Sequence, residues 1–114
     1  MDSQTQIAPK GPRDIGHWRR VPSCVDYQAY VCPWPPMDRE RHQVFSATLG
    51  GLGVQEDNAC GVATVRAAWG FLIVPPPGFP ELKVNFFPNV PTQALREILV
   101  NIERRIATSM RTRL

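Results

Sequence analysis

From Thr92 onward the apolar residues return every three or four positions: Leu95, Ile98, Leu99, Ile102, Ile106 and Met110 share one stripe, while Arg96, Glu97, Asn101, Arg104 and Arg105 lie outside it. This is the 3.6-residue period of an amphipathic helix, and a helix with such a stripe must bury it against a second layer. Nothing upstream repeats with that period. Four segments instead alternate with period two, the pattern of half-buried strands. The expected fold class is α+β: a four-stranded antiparallel meander with a C-terminal amphipathic helix packed on one face. Thr92, after Pro91, is placed to cap the helix through its hydroxyl. Asn89 is the alternative cap, with Pro91 then inside the first turn.

In the first alternating segment Val25, Tyr27, Ala29 and Val31 share a face, and Cys24, Asp26, Gln28, Tyr30 and Cys32 share the other; Pro33-Trp34-Pro35-Pro36 ends it. In the second, Phe45, Ala47 and Leu49 alternate with Val44, Ser46 and Thr48, and the following Gly50-Gly51-Leu52-Gly53 reads as a turn. The third aligns Ala63, Val65, Ala67, Trp69, Phe71 and Ile73 on one apolar face as far as Pro75. Residues 60–74 also suit a buried helix through Ala63, Ala67 and Ala68, but Gly70 and the β-branched Ile73 and Val74 favour strand. The fourth turns Leu82, Val84 and Phe86 one way and Glu81, Lys83 and Asn85 the other.

Residues 1–20 carry Pro9, Gly11, Pro12 and Gly16 with no hydrophobic period, so they read as an extended N-terminal arm ahead of a single α+β domain over 21–114. With 43% apolar and 20% charged residues, a chain of this length buries about two-thirds of its unfolded surface without staples. Its longest apolar stretch, Ala67 to Pro77, is interrupted by its own prolines, which argues against a membrane-spanning helix. Met1-Asp2-Ser3-Gln4-Thr5-Gln6 has neither a basic nor an apolar region of the kind a secretory signal needs.

Cys24, Cys32 and Cys60 make an odd count, which points to free thiols in the cytoplasm or another reducing intracellular compartment. On one continuous strand Cys24 and Cys32 would stand about 26 Å apart, far beyond the reach of a disulfide. Their spacing, with His17 and His42 scattered, gives no zinc pattern, and no metal or cofactor is expected. The motifs that fix a catalytic or phosphate-binding geometry are absent, so no catalytic residue is expected either. Glu56-Asp57-Asn58 reads as a solvated loop, and His42, behind Asp38-Arg39-Glu40-Arg41, as surface.

One stretch has a family likeness. Leu72-Ile73-Val74-Pro75-Pro76-Pro77-Gly78-Phe79-Pro80, followed by Lys83-Val84-Asn85-Phe86 and Pro88-Asn89-Val90, resembles the strand, Pro-aromatic-Pro turn and strand of ubiquitin-conjugating enzymes and their non-catalytic RWD-type relatives. The resemblance implies a meander followed by a helix. Three departures go with it: the Pro-rich motif is short two positions, residues 1–20 lack the family's opening helix, and no Cys follows Cys60, where catalytic members carry the reactive thiol after the Pro-Asn segment. It therefore implies a binding module.

The function expected from the residues themselves is a non-enzymatic protein-protein interaction or assembly module, a homo-oligomer or an accessory subunit of a larger complex. Trp and Arg are enriched at binding hot spots, which makes Trp18, Arg19, Arg20, Trp34 and Phe87 the candidate partner-binding residues. The alternative is a small nucleic-acid-binding protein. The net charge of +3 is too small to imply one, but Arg104, Arg105, Arg111 and Arg113 cluster in the last 11 residues, where no acid occurs. Cations there also complement the helix dipole.

Overall fold

The computed structural model describes residues 14–23, 26–57 and 63–111. In chain order the elements are β1 (Arg19–Val21), β2 (Gln28–Pro33), α1 (Arg39–Gly50), β3 (Val54–Asp57), β4 (Ala63–Ala67), β5 (Gly70–Ile73), β6 (Glu81–Phe86) and α2 (Thr92–Arg111). The strands form one open antiparallel sheet in the order β1-β2-β6-β5-β4-β3. The fold is α+β with a C-terminal helix, and six strands stand where four were expected. Strands β3 to β6 run as a meander, and the β1–β2 hairpin joins its β6 edge.

One face of the sheet carries Tyr30, Cys32, Leu82, Val84, Phe86, Leu72 and Val65, which pack into one core with Phe45 and Leu49 of α1 and Leu95, Leu99, Ile102 and Ile106 of α2. The stripe read from the sequence is thus the buried side of α2, with Ile98 and Met110 partly buried at its margins. The helix begins at Thr92, and the Pro91 carbonyl accepts the first helical bond from the Leu95 N–H at 2.9 Å. Pro91, rather than Thr92 or Asn89, therefore occupies the cap position.

Residues 44–49, expected as a strand, lie inside α1. Phe45 and Leu49 satisfy both templates, since positions i and i+4 share a face in a helix and in a strand. Ala47 separates them: it is exposed, as a helix requires, while Phe45 and Leu49 are fully buried. The deciding signal lies upstream in the charged run expected as surface. Asp38 caps the helix by accepting the Arg41 N–H at 2.8 Å, and Glu40 sits in the first turn beside the positive end of the dipole.

The unbroken apolar face expected over 63–73 is cut by a two-residue turn at Ala68–Trp69, with Ala67 paired to Gly70. Each strand of the hairpin then alternates for itself. Leu72 pairs with Val65 on the core face, while Phe71 and Ile73 pair with Asn85 and Lys83 on the face away from the helices. Trp69 lies in the turn, partly buried against Phe86 with ring centroids 5.1 Å apart. Glu56 and Asp57, expected in a solvated loop, belong to edge strand β3, and Glu56 pairs with Arg66 at 2.9 Å. Cys24, Val25, Asn58, Cys60 and Arg113 lie outside the described residues.

Residues 14–20, expected as part of the extended arm, are built into the domain, and residues 1–13 lie outside the described residues. Ile15 and Trp18 exchange backbone hydrogen bonds of 2.9 and 2.8 Å around Gly16 and His17, both side chains join the core, and β1 pairs with β2 from Arg19. His17 fastens this turn to α2 through Nδ1 and Glu103 Oε2, 2.7 Å apart. The apolar pair Ile15 and Trp18 is too short for any period to register, yet it has a core to enter once the sheet has formed. No helix among the described residues is long and apolar enough to cross a membrane.

Candidate functional site

The prolines that end β2 and β5 meet at one end of the sheet. Trp34 donates its N–H to the Pro80 carbonyl at 3.1 Å, and Met37 donates to the Pro77 carbonyl at 3.3 Å. A third tie comes from α1, where His42 Nε2 donates to the Pro75 carbonyl at 2.8 Å. Proline fixes φ and removes a donor, so these loops have few conformations to lose and few N–H groups to satisfy. The result is a platform of two proline loops clamped to each other and to a helix.

Trp34 stands in the middle of it. Its ring meets Phe45 edge-on at 6.0 Å. Its indole Nε1 is buried and, like that of Trp18, has no hydrogen-bond partner among the described residues. Two grooves flank it. One, of about 420 Å³, is lined by Trp34, Pro35, Pro36, Met37, Arg41 and Met110. The other, of about 410 Å³, is lined by Trp34, Pro33, Pro36, Gly78, Phe79, Pro80 and Glu81. Phe79 rises from the second with 81% of its surface exposed. The grooves differ in charge: the Arg41 guanidinium lines the first, held by one N–H to the Met110 carbonyl at 3.3 Å, and the Glu81 carboxylate lines the second, 3.8 Å from Arg19.

The five residues singled out from the sequence do not form one patch. Trp18 is 1% exposed and spends its surface on its own core. Arg19 pairs loosely with Glu81, and Arg20 lies over the Tyr30 ring, 5.5 Å from its centroid. Trp34 and Phe87 flank opposite ends of the β2–β6 ladder, whose register runs from Gln28↔Phe86 to Pro33↔Glu81; six strand residues span about 20 Å. Phe87 packs on Tyr27 of its own chain, centroids 5.9 Å apart. Trp34 alone reaches the platform. Phe79, Met37, Arg41 and His42 were not singled out, although a phenylalanine between Gly78 and Pro80 is a readable sign of a large side chain with no strand or helix to bury it.

Two further concavities are each lined by a pair of arginines. Arg20 and Arg96 line one of about 250 Å³ with Asp14, Gln28, Tyr30 and Thr92. Arg104 and Arg105 line an open one of about 460 Å³ between the helices, with Thr48 and Ser109, whose hydroxyls lie 2.8 Å apart. The free thiol of Cys32 is 3% exposed, and burial first, then the nearby Glu103 carboxylate, push its pKa up to about 12. It keeps its proton at neutral pH and so lacks the thiolate that a nucleophile or metal ligand needs. Among the described residues no group of three His, Cys, Asp or Glu side chains could hold a metal ion. Compared with protein-family models, curated proteins and solved structures, the chain gives no match.

Proposed function

We propose that the chain is a non-enzymatic protein-interaction module, an accessory subunit or a self-associating one, that docks through the platform around Trp34 and Phe79. The observation that carries this reading is the exposed Phe79 at the tip of a proline loop clamped in place. Exposed Pro33, Pro35 and Pro36 extend the apolar surface beside it. A contiguous apolar patch on rigid backbone marks an interaction site, because a partner can cover it at little cost in ordering. The free Cys32 thiol fits a reducing, cytoplasmic setting. Resin carrying the chain should retain a protein from a lysate of its source equally at low and moderate salt. Retention that collapses with salt would count against an apolar dock.

The nucleic-acid reading draws on the Arg104 and Arg105 concavity with its two hydroxyls. Neutralising both arginines should then flatten the dependence of log K on log salt by up to about 1.8 for a duplex. Under the interaction-module reading the chain has no such salt-steep affinity to lose. The element order favours one relationship within the module class. Helix α1, the meander β3 to β6 with Pro75–Pro80 between its last two strands, and α2 follow the order of the RWD-type relatives, with the opening helix at 39–50 instead of in residues 1–20. The added β1–β2 hairpin departs from it. On this reading the chain forms no thioester with ubiquitin in a charging assay.

A further inference from the structure

We infer that the two grooves beside Trp34 form one bipartite site for an extended peptide segment of a partner, with two apolar anchors flanked by an acidic residue on one side and a basic residue on the other. The inference rests on the interaction-module reading and narrows it. The grooves share Trp34 and Pro36, so anchors seated in both straddle a single ridge. In an extended segment, alternate side chains point the same way about 7 Å apart, so two of them can face the platform together. Each groove is mostly apolar, and each holds one charge of opposite sign: Arg41 in the first, Glu81 in the second. Arg41 spends one N–H on the Met110 carbonyl and keeps the rest of its fork for a carboxylate. Glu81 Oε2 stands 3.8 Å from Arg19 in a loose, half-exposed ion pair beyond hydrogen-bonding distance, so Oε1 is the oxygen that meets a peptide's cation. This opposition of charge selects a segment that is acidic at one end and basic at the other, and disfavours a segment of one sign throughout.

The test is fluorescence polarisation with three labelled peptides that share a Phe-Thr-Leu centre: one with an Asp pair before it and a Lys pair after it, one with Asp pairs at both ends, and one with Lys pairs at both ends. Using both uniform twins separates the effect from the chain's overall positive charge and from the direction in which the peptide lies. The mixed peptide should bind about three- to fivefold more tightly than either twin, as two exposed ion pairs allow. Phe79→Ala should weaken it about tenfold, the effect of losing an anchor. Arg41→Glu should move the preference to the Lys-flanked peptide. That variant keeps its helix, because a Glu three residues after the Asp38 cap completes a capping box. Equal binding of all three peptides, no binding of any, or indifference to Phe79→Ala would overturn the inference. So would light scattering that finds a dimer dissolved by Phe79→Ala, since the occupant would then be a second copy. If the peptides fail while wild-type and Phe79→Ala resins both retain the same lysate protein, this site is wrong and the module reading stands. If neither resin retains a protein, the module reading falls too.

Discussion

A methyl group at position 70 has nowhere to go. Gly70 has φ +152°, and a Cβ there would fall on the carbonyl of Asn85 in the neighbouring strand. Gly70→Ala must therefore strain the backbone and push two paired strands apart, at a cost of about 2–4 kcal/mol in a urea melt. A loss below about 1 kcal/mol would mean that β5 shifts freely against β6. Cys32 makes a prediction of another kind. Its thiol stays protonated in the fold up to about pH 12 but ionises near the ordinary thiol value of 9.0 once unfolded. Between those values the unfolded state binds fewer protons, so stability is full below pH 9 and falls as pH rises, by at most about 1.4 kcal/mol per unit. Cys32→Ala should flatten that part of the stability profile, and the native thiol should resist alkylation at pH 8 until the chain is unfolded.

At the scale of elements, α1 depends on its cap more than α2 does. It has twelve residues and buries only Phe45 and Leu49, whereas α2 has twenty and buries Leu95, Leu99, Ile102 and Ile106. Asp38→Ala removes the side chain that accepts the Arg41 N–H and should cost about 1 kcal/mol. Because His42 in the same helix holds the Pro75 carbonyl, hydrogen exchange should also rise at Met37, whose N–H bonds to Pro77 across the platform. If exchange rises in α1 alone, the helix and the loops are not coupled.

For the molecule as a whole, Trp18 is the test of where the domain begins. Trp18→Ala should destabilise the entire sheet by about 3–5 kcal/mol, the range for a buried aromatic. Loosening confined to β1 would place the turn at residues 15–18 outside the cooperative core. The sequence by itself determined α2 and its buried stripe, because that period is sustained through the helix, and with it the α+β class; it also showed β2 and β6, where in β6 Glu81, Lys83 and Asn85 alternate with Leu82, Val84 and Phe86 as a helix face would not. It could not separate Phe45 and Leu49 in a helix from the same pair in a strand, nor see that a turn at Ala68–Trp69 reverses the face of Phe71 and Ile73. A short segment fits either template, and its neighbours decide. Trp34 was legible as a candidate from its residue type alone. Its partners were not: Met37 and Arg41 follow it closely in the chain but line its groove only because α1 packs beside α2, and Phe79 comes to it through the pairing of β2 with β6, which sets Pro33 opposite Glu81 and brings the two proline loops together. Only the tertiary structure decided that Trp18 faces the core and Phe79 the solvent, since burial belongs to the space that packed elements leave and not to the residue.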